Sequence, residues 1–182
     1  ATKTFTFHYD SYVIGASIET ERPGAPKPIG IMWGPRLGGA GSNTYGGVVE
    51  GPMSFVGKDL IYDAPEKGKP ATHPAGTKWV SLQSKYFIGA LLPRGGPGGS
   101  EVRLLGGDGE KKEYAATALL PNKSRSRAAL DIYVGPKETV RLKKLKASLE
   151  ESLDYGMFAI VAKPLMYVLR LAHTLTGNWG VA

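Results

Sequence analysis

The feature that most limits the fold of this chain is its punctuation. Its 25 glycines and 13 prolines, in 182 residues, mostly fall between short apolar runs. In the middle of a helix a glycine costs roughly 0.5–1 kcal/mol relative to alanine, and a proline about 3 kcal/mol. The runs that these residues bound are rich in β-branched and aromatic side chains. Through residue 136 the pattern is therefore that of a mainly β chain, an all-β sandwich or barrel with many turns.

The runs can be placed individually. Thr4–His8 and Tyr12–Glu19 read as a hairpin turning at Asp10-Ser11, with Phe5 and Phe7 on one face. Ile29–Trp33 is a further strand, followed by a loop through Gly38-Gly39-Ala40-Gly41-Ser42-Asn43. Val48–Val56 and Asp59–Tyr62 pair across Gly57-Lys58, and Pro65, Gly68, Pro70, Pro74 and Gly76 mark another loop. Lys78–Pro93 carries the strongest strand signal, with a short helical turn allowed near Gln83. Glu101–Leu105, Lys112–Ala118 and Ala128–Val134 complete the series.

After Gly135-Pro136 the texture changes. Leu142, Leu145, Leu149 and Leu153 recur at three and four residues among lysines and glutamates, which predicts one amphipathic helix packed by its leucines. Gly135 and Pro136 form the expected hinge: Pro136 suits a first helical turn, and Gly135 is expected to have a positive φ. A second helix is expected from near Tyr155, capped by Asp154 and stopped at Gly177.

That second helix is apolar around most of its circumference, through Phe158, Leu165, Leu169 and their neighbours. Lys163, Arg170 and Thr174 share one narrow face, with Tyr167 beside them. Lys163 and Arg170 would each cost about 2.5–3.5 kcal/mol at the centre of a bilayer, whereas in the headgroup plane both stay solvated. Lys163-Pro164 also interrupts the apolar run, which falls short of the roughly 20 residues a span needs. The expected placement is along a membrane surface, with Trp179 as an interface anchor. The apolar stripe is too wide for a core helix packed on one side only.

Catalytic and cofactor signatures are missing from the sequence. Gly51–Lys58 imitates a phosphate loop, but five residues separate its glycines and Asp59 stands where Ser or Thr is needed. His8, His73 and His173 have no metal-ligand spacing, there is no cysteine, and no nucleophile elbow occurs. We expect no enzyme activity, no cofactor and no metal. The net charge of +7 favours anionic partners. The basic run Arg141–Lys146 lacks interleaved aromatics, so nucleic acid is not an expected partner. Ala1–His8 has no basic segment followed by an apolar one, so no signal peptide is expected within the chain.

At this point a resemblance becomes specific. Tyr133-Val-Gly-Pro-Lys137, the leucine-patterned helix, Asp154-Tyr-Gly156, Lys163-Pro164-Leu165 and Gly177-Asn178-Trp179-Gly180 follow one another in order. This series resembles the segment of the YidC family just before its transmembrane core. Trp33-Gly34-Pro35, Trp79-Val80, Tyr86-Phe87 and Pro93 are similar to that family's periplasmic domain, so the resemblance covers nearly the whole chain.

The resemblance implies a β-supersandwich like that of galactose mutarotases, incomplete at its amino terminus, followed by amphipathic helices. It divides the chain into a sandwich part (1–136), a packed helix (137–153), and an interfacial helix leading towards a transmembrane helix (154–182). It implies a place at the periplasmic face of the bacterial inner membrane, in a multi-pass protein. The implied role is assistance to insertion and folding of inner-membrane proteins, with the lipid surface, Sec translocon components and nascent inner-membrane proteins as partners. The family's hydrophilic-groove residue has no counterpart here, so no insertase residue is assigned. The rival reading is a carbohydrate-binding or carbohydrate-processing sandwich, with exposed aromatics near the glycine-rich loops as its platform.

Overall fold

The computed structural model describes residues 2–21, 29–34, 51–74, 76–94, 101–106, 114–120, 125–153, 159–178 and 180. Their strands are β1 (Thr2–Phe7), β2 (Val13–Glu21), β3 (Ile29–Trp33), β4 (Gly51–Val56), β5 (Asp59–Tyr62) and β6 (Ala71–His73). There follow β7 (Thr77–Gln83), β8 (Phe87–Arg94), β9 (Glu101–Gly106), β10 (Tyr114–Leu120) and β11 (Arg125–Pro136). Helix α1 (Thr139–Lys144), a 3-10 turn (Leu149–Ser152) and helix α2 (Ala159–Thr176) complete the described elements.

Among the described residues the strands pair with one another antiparallel, and one isolated parallel bridge joins Lys67 to Gly106 of β9. One sheet has the order β1-β2-β11-β8-β7-β4-β5 and the other β3-β10-β9-β6. Both are open among the described residues, with β1 exposed along its whole length at one edge. The expected sandwich of sheets is present. β6 lies where the prolines suggested only loop, and it pairs with β9.

The alternation of side chains assigns each face of the larger sheet to a different core. Ala16, Val80, Leu82, Leu91, Leu130 and Ile132 meet Val102 and Leu104 of the smaller sheet. Met53, Phe55, Trp79, Ile88, Ala90 and Tyr133 point the other way, where Leu142 and Leu149 cover them. The result is three layers: small sheet, large sheet and the segment after β11. This explains the dense apolar run from Lys78 to Pro93. It is two strands, each buried on both faces, so the alternation expected of a half-exposed strand is erased. The turn between them lacks glycine and proline; the Phe87 amide donates to Ser84 Oγ at 3.2 Å and the Ser84 amide to the Phe87 carbonyl at 2.9 Å.

The leucine segment packs as expected but is not one helix. Leu142 and Leu149 are fully buried and Leu145 and Leu153 partly so. Helix α1 nevertheless ends after six residues, and Lys146 and Ser148 take left-handed backbone, with φ of 53° and 59°. Each such residue costs roughly 1–2 kcal/mol outside glycine. What holds the bend is the sheet below it: Trp79 stacks on Phe55 with centroids 5.6 Å apart, and its indole Nε1 donates to the Ser148 carbonyl at 3.3 Å.

Gly135 and Pro136 also differ from expectation. Both are the last residues of β11, paired with Ile88 and Phe87, and α1 begins only at Thr139, so Pro136 is not in a first helical turn. The φ of Gly135 is not in the left-handed region. Glycine is needed there for space. An added Cβ would stand 2.8 Å from the Tyr12 ring and 2.9 Å from Tyr133 Oη. That hydroxyl donates to the Pro136 carbonyl at 2.9 Å, and burial raises its pKa above the ordinary phenol value, with Arg141 acting in the opposite direction. Gly135→Val is therefore expected to destabilise the fold by about 1–3 kcal/mol through overpacking. A denaturant melt reads this directly, and a midpoint equal to the parent's would show that the two tyrosines move aside freely.

Candidate membrane-contact helix

Helix α2 forms over residues 159–176 although Pro164 and the β-branched Ile160, Val161, Val168, Thr174 and Thr176 disfavour helix; its alanines, leucines, Met166, Lys163 and Arg170 favour it. Pro164 is accommodated inside the helix near its start. Termination is set by Gly177, whose φ is +67°, with its amide donating to the His173 carbonyl at 2.7 Å. This is the left-handed glycine stop expected from the sequence. Thr174 and Thr176 turn their hydroxyls back onto the Arg170 and Ala172 carbonyls, which satisfies them within the helix.

At 100° per residue, Lys163, Tyr167, Arg170 and Thr174 fall on one stripe. Leu165, Val168, Ala172 and Leu175 lie on the opposite face, flanked by Leu169 and Leu171. Those apolar residues are not used by the sandwich: among the described residues, none of α2 belongs to either core. Leu165 is 55% exposed, Val168 57%, Leu171 53% and Leu175 81%. Leu169 is half-buried, and Tyr167 and Arg170 are exposed. Lys163 is in α2 at the position the stripe requires. Phe158, Trp179 and the expected cap Asp154 lie outside the described residues, as does the run Gly38–Asn43.

Such a helix has an apolar face in search of a cover. Burying half of four exposed Leu and Val side chains contributes about 3–6 kcal/mol. Among the described residues, no helix is long and apolar enough to cross a membrane. What α2 offers chemically is apolar burial on one face and, on the other, cationic contact with anionic groups.

A second constellation went unread in the sequence. Ser54 Oγ donates to Asp63 Oδ2 at 2.7 Å, and His73 Nε2 is 2.7 Å from Asp63 Oδ1. Ser54 is fully buried, and the Asp63 and His73 side chains are 4% and 12% exposed. These residues come from β4, the position just after β5, and β6, so the group ties the edges of the two sheets together. The serine hydroxyl gives its proton to the carboxylate and faces no imidazole, so it is not an activated nucleophile. Spacings of nine and ten residues match no catalytic signature, and alternation along β4 sets Ser54 on the face opposite Met53 and Phe55, where a half-exposed strand would turn it to solvent. Among the described residues no group of three acidic or histidine side chains could hold a metal. For the carbohydrate reading, Asp63 is already engaged and enclosed, and the exposed aromatics Tyr9, Tyr86 and Phe87 have no convergent carboxylate beside them in any described contact.

Comparison with known proteins adds an independent line. Residues 1–168 match the family model described as the YidC periplasmic domain. The chain is 30% identical over 197 residues to a membrane protein insertase YidC of Nitrosospira multiformis, covering all of this chain and 34% of that protein. It is 29% identical over 204 residues to the Nitrosomonas europaea membrane protein insertase YidC, covering 99% of this chain and 31% of that one. The chain thus spans about a third of the length of these curated relatives.

Proposed function

Since this chain belongs to the YidC periplasmic domain family, we propose that it is the part of an inner-membrane protein insertase that stands on the periplasmic membrane surface, with α2 lying in the headgroup layer. The observation that carries this reading is the apolar face of α2, exposed and outside both cores, opposite a stripe holding Lys163 and Arg170. Its work is positioning and contact rather than catalysis. Nascent inner-membrane proteins and Sec translocon components are the partners that membership in an insertase family suggests for the whole protein.

Co-sedimentation of the whole chain with anionic vesicles tests the reading. Each basic residue near an anionic surface contributes about 1 kcal/mol, so changing both Lys163 and Arg170 to Glu should weaken binding well over tenfold. Changing Lys143 and Lys144 to Glu should do much less, because α1 is docked on the sandwich through Leu142. Equal binding by the Lys163/Arg170 variant, or a parent chain that ignores vesicles, would remove α2 from the lipid surface and make it a helix that packs on protein.

A further inference from the structure

The segment between β11 and α2 holds two patterns that disagree. Its residues 139–153 contain neither glycine nor proline, and their four leucines keep the three-and-four spacing of one helical stripe. Its backbone instead breaks at Lys146 and Ser148, both left-handed and neither a glycine. Local preference and tertiary docking are thus opposed over the same residues. Docking prevails through Leu149, buried with no exposure, and through the Trp79 indole donating to the Ser148 carbonyl at 3.3 Å.

We propose that residues 145–148 are a bistable joint, bent when the 3-10 turn is docked over Trp79 and straight when residues 139–153 form one continuous helix. In the bent form Lys146 and Ser148 bear the strain while Leu149 and Leu153 stay on the sheet. In the straight form the strain is gone, but Leu149, Leu153 and the Trp79 hydrogen bond are given up. A continuous helix over these residues is about 22 Å long. The joint therefore changes how far the chain reaches from the sandwich at Leu153, while uncovering part of the sheet around Trp79. Leu142, one turn into α1, stays buried in both forms and acts as the pivot.

Substitution separates the two forms because glycine and alanine have opposite preferences at the bend. Glycine takes left-handed backbone freely and disfavours helix; alanine does the reverse. The chain has no cysteine, so labels can be placed by Lys58→Cys in the exposed β4–β5 turn and Glu151→Cys in the exposed side of the 3-10 turn. Pulsed electron paramagnetic resonance on the parent, a Lys146→Gly/Ser148→Gly pair and a Lys146→Ala/Ser148→Ala pair then counts bent and straight molecules. The ratio of straight to bent should differ by about tenfold or more between the two pairs, with the parent between them. Far-ultraviolet helicity should be higher in the alanine pair. One unchanged distance distribution in all three overturns the joint. So does a longer distance in the alanine pair without added helicity, since that is undocking into coil. Should the alanine pair not fold, the long-distance population must still fall from parent to glycine pair, and identical distributions there overturn the proposal.

Discussion

Trp79→Ala is expected to cost about 3–5 kcal/mol, the largest loss of any single truncation in this fold. The side chain is fully buried, stacks on Phe55 and hydrogen-bonds through its indole N–H to the Ser148 carbonyl, between α1 and the 3-10 turn. Its removal opens a cavity under Leu142 and Leu149 and frees the Ser148 carbonyl together. Trp79→Phe separates the two contributions. It keeps most of the stacking and loses the hydrogen bond, so its cost should be nearer to 1 kcal/mol. Equilibrium denaturation of both variants gives the comparison. Equal losses would mean that the ring area contributes nothing beyond the indole N–H, against the stacked geometry.

Asp63→Ala should rank second, at about 2–5 kcal/mol. It leaves Ser54 Oγ and His73 Nε2 without their common acceptor at a place where water does not reach Ser54. Because the three residues bridge the two sheets, the loss should be cooperative with the whole sandwich, not local to β6. Asp63→Asn keeps one acceptor oxygen and should recover part of the loss. Ser54→Ala should cost less than Asp63→Ala, since it removes a donor and leaves the carboxylate its contact with His73. Thermal melts order the three variants, and an Asp63→Ala melt equal to the parent's would show that the group is not what joins the sheets at this edge.

The hairpins were legible in the sequence because their turns carry their own chemistry. Gly57, with φ +63°, closes β4 onto β5 where the reading placed a turn. The β1–β2 hairpin is present too, with its turn at Tyr9-Asp10, one residue before the expected Asp10-Ser11. The β7–β8 turn was hidden because Ser84 replaces glycine with a side-chain hydrogen bond. The leucine stripe after Pro136 was visible and does pack, but periodicity reports which side chains meet a surface and not the backbone that carries them. The sheet under Trp79 imposed the bend. The Ser54, Asp63 and His73 group depends on two sheet edges meeting, which no spacing along the chain encodes. Gly135 was expected as a hinge with positive φ; it is instead the penultimate residue of β11, where glycine leaves room between Tyr12 and Tyr133. The candidate membrane helix was the most legible part of the site, since its stripe needs only the period of a helix.

The central claim, that α2 rests on a lipid surface with its polar stripe outward, is tested most directly by a label scan along the helix. Single cysteines placed in turn from position 163 to 175 of the whole chain carry a spin label, and their accessibility to oxygen and to a water-soluble relaxant is measured on anionic vesicles. The account predicts a helical period: labels at Leu165, Val168, Ala172 and Leu175 in the acyl boundary, and labels at Lys163, Tyr167, Arg170 and Thr174 facing water. Uniform exposure to the water-soluble relaxant at every position, or a pattern with Lys163 and Arg170 on the buried side, would contradict it.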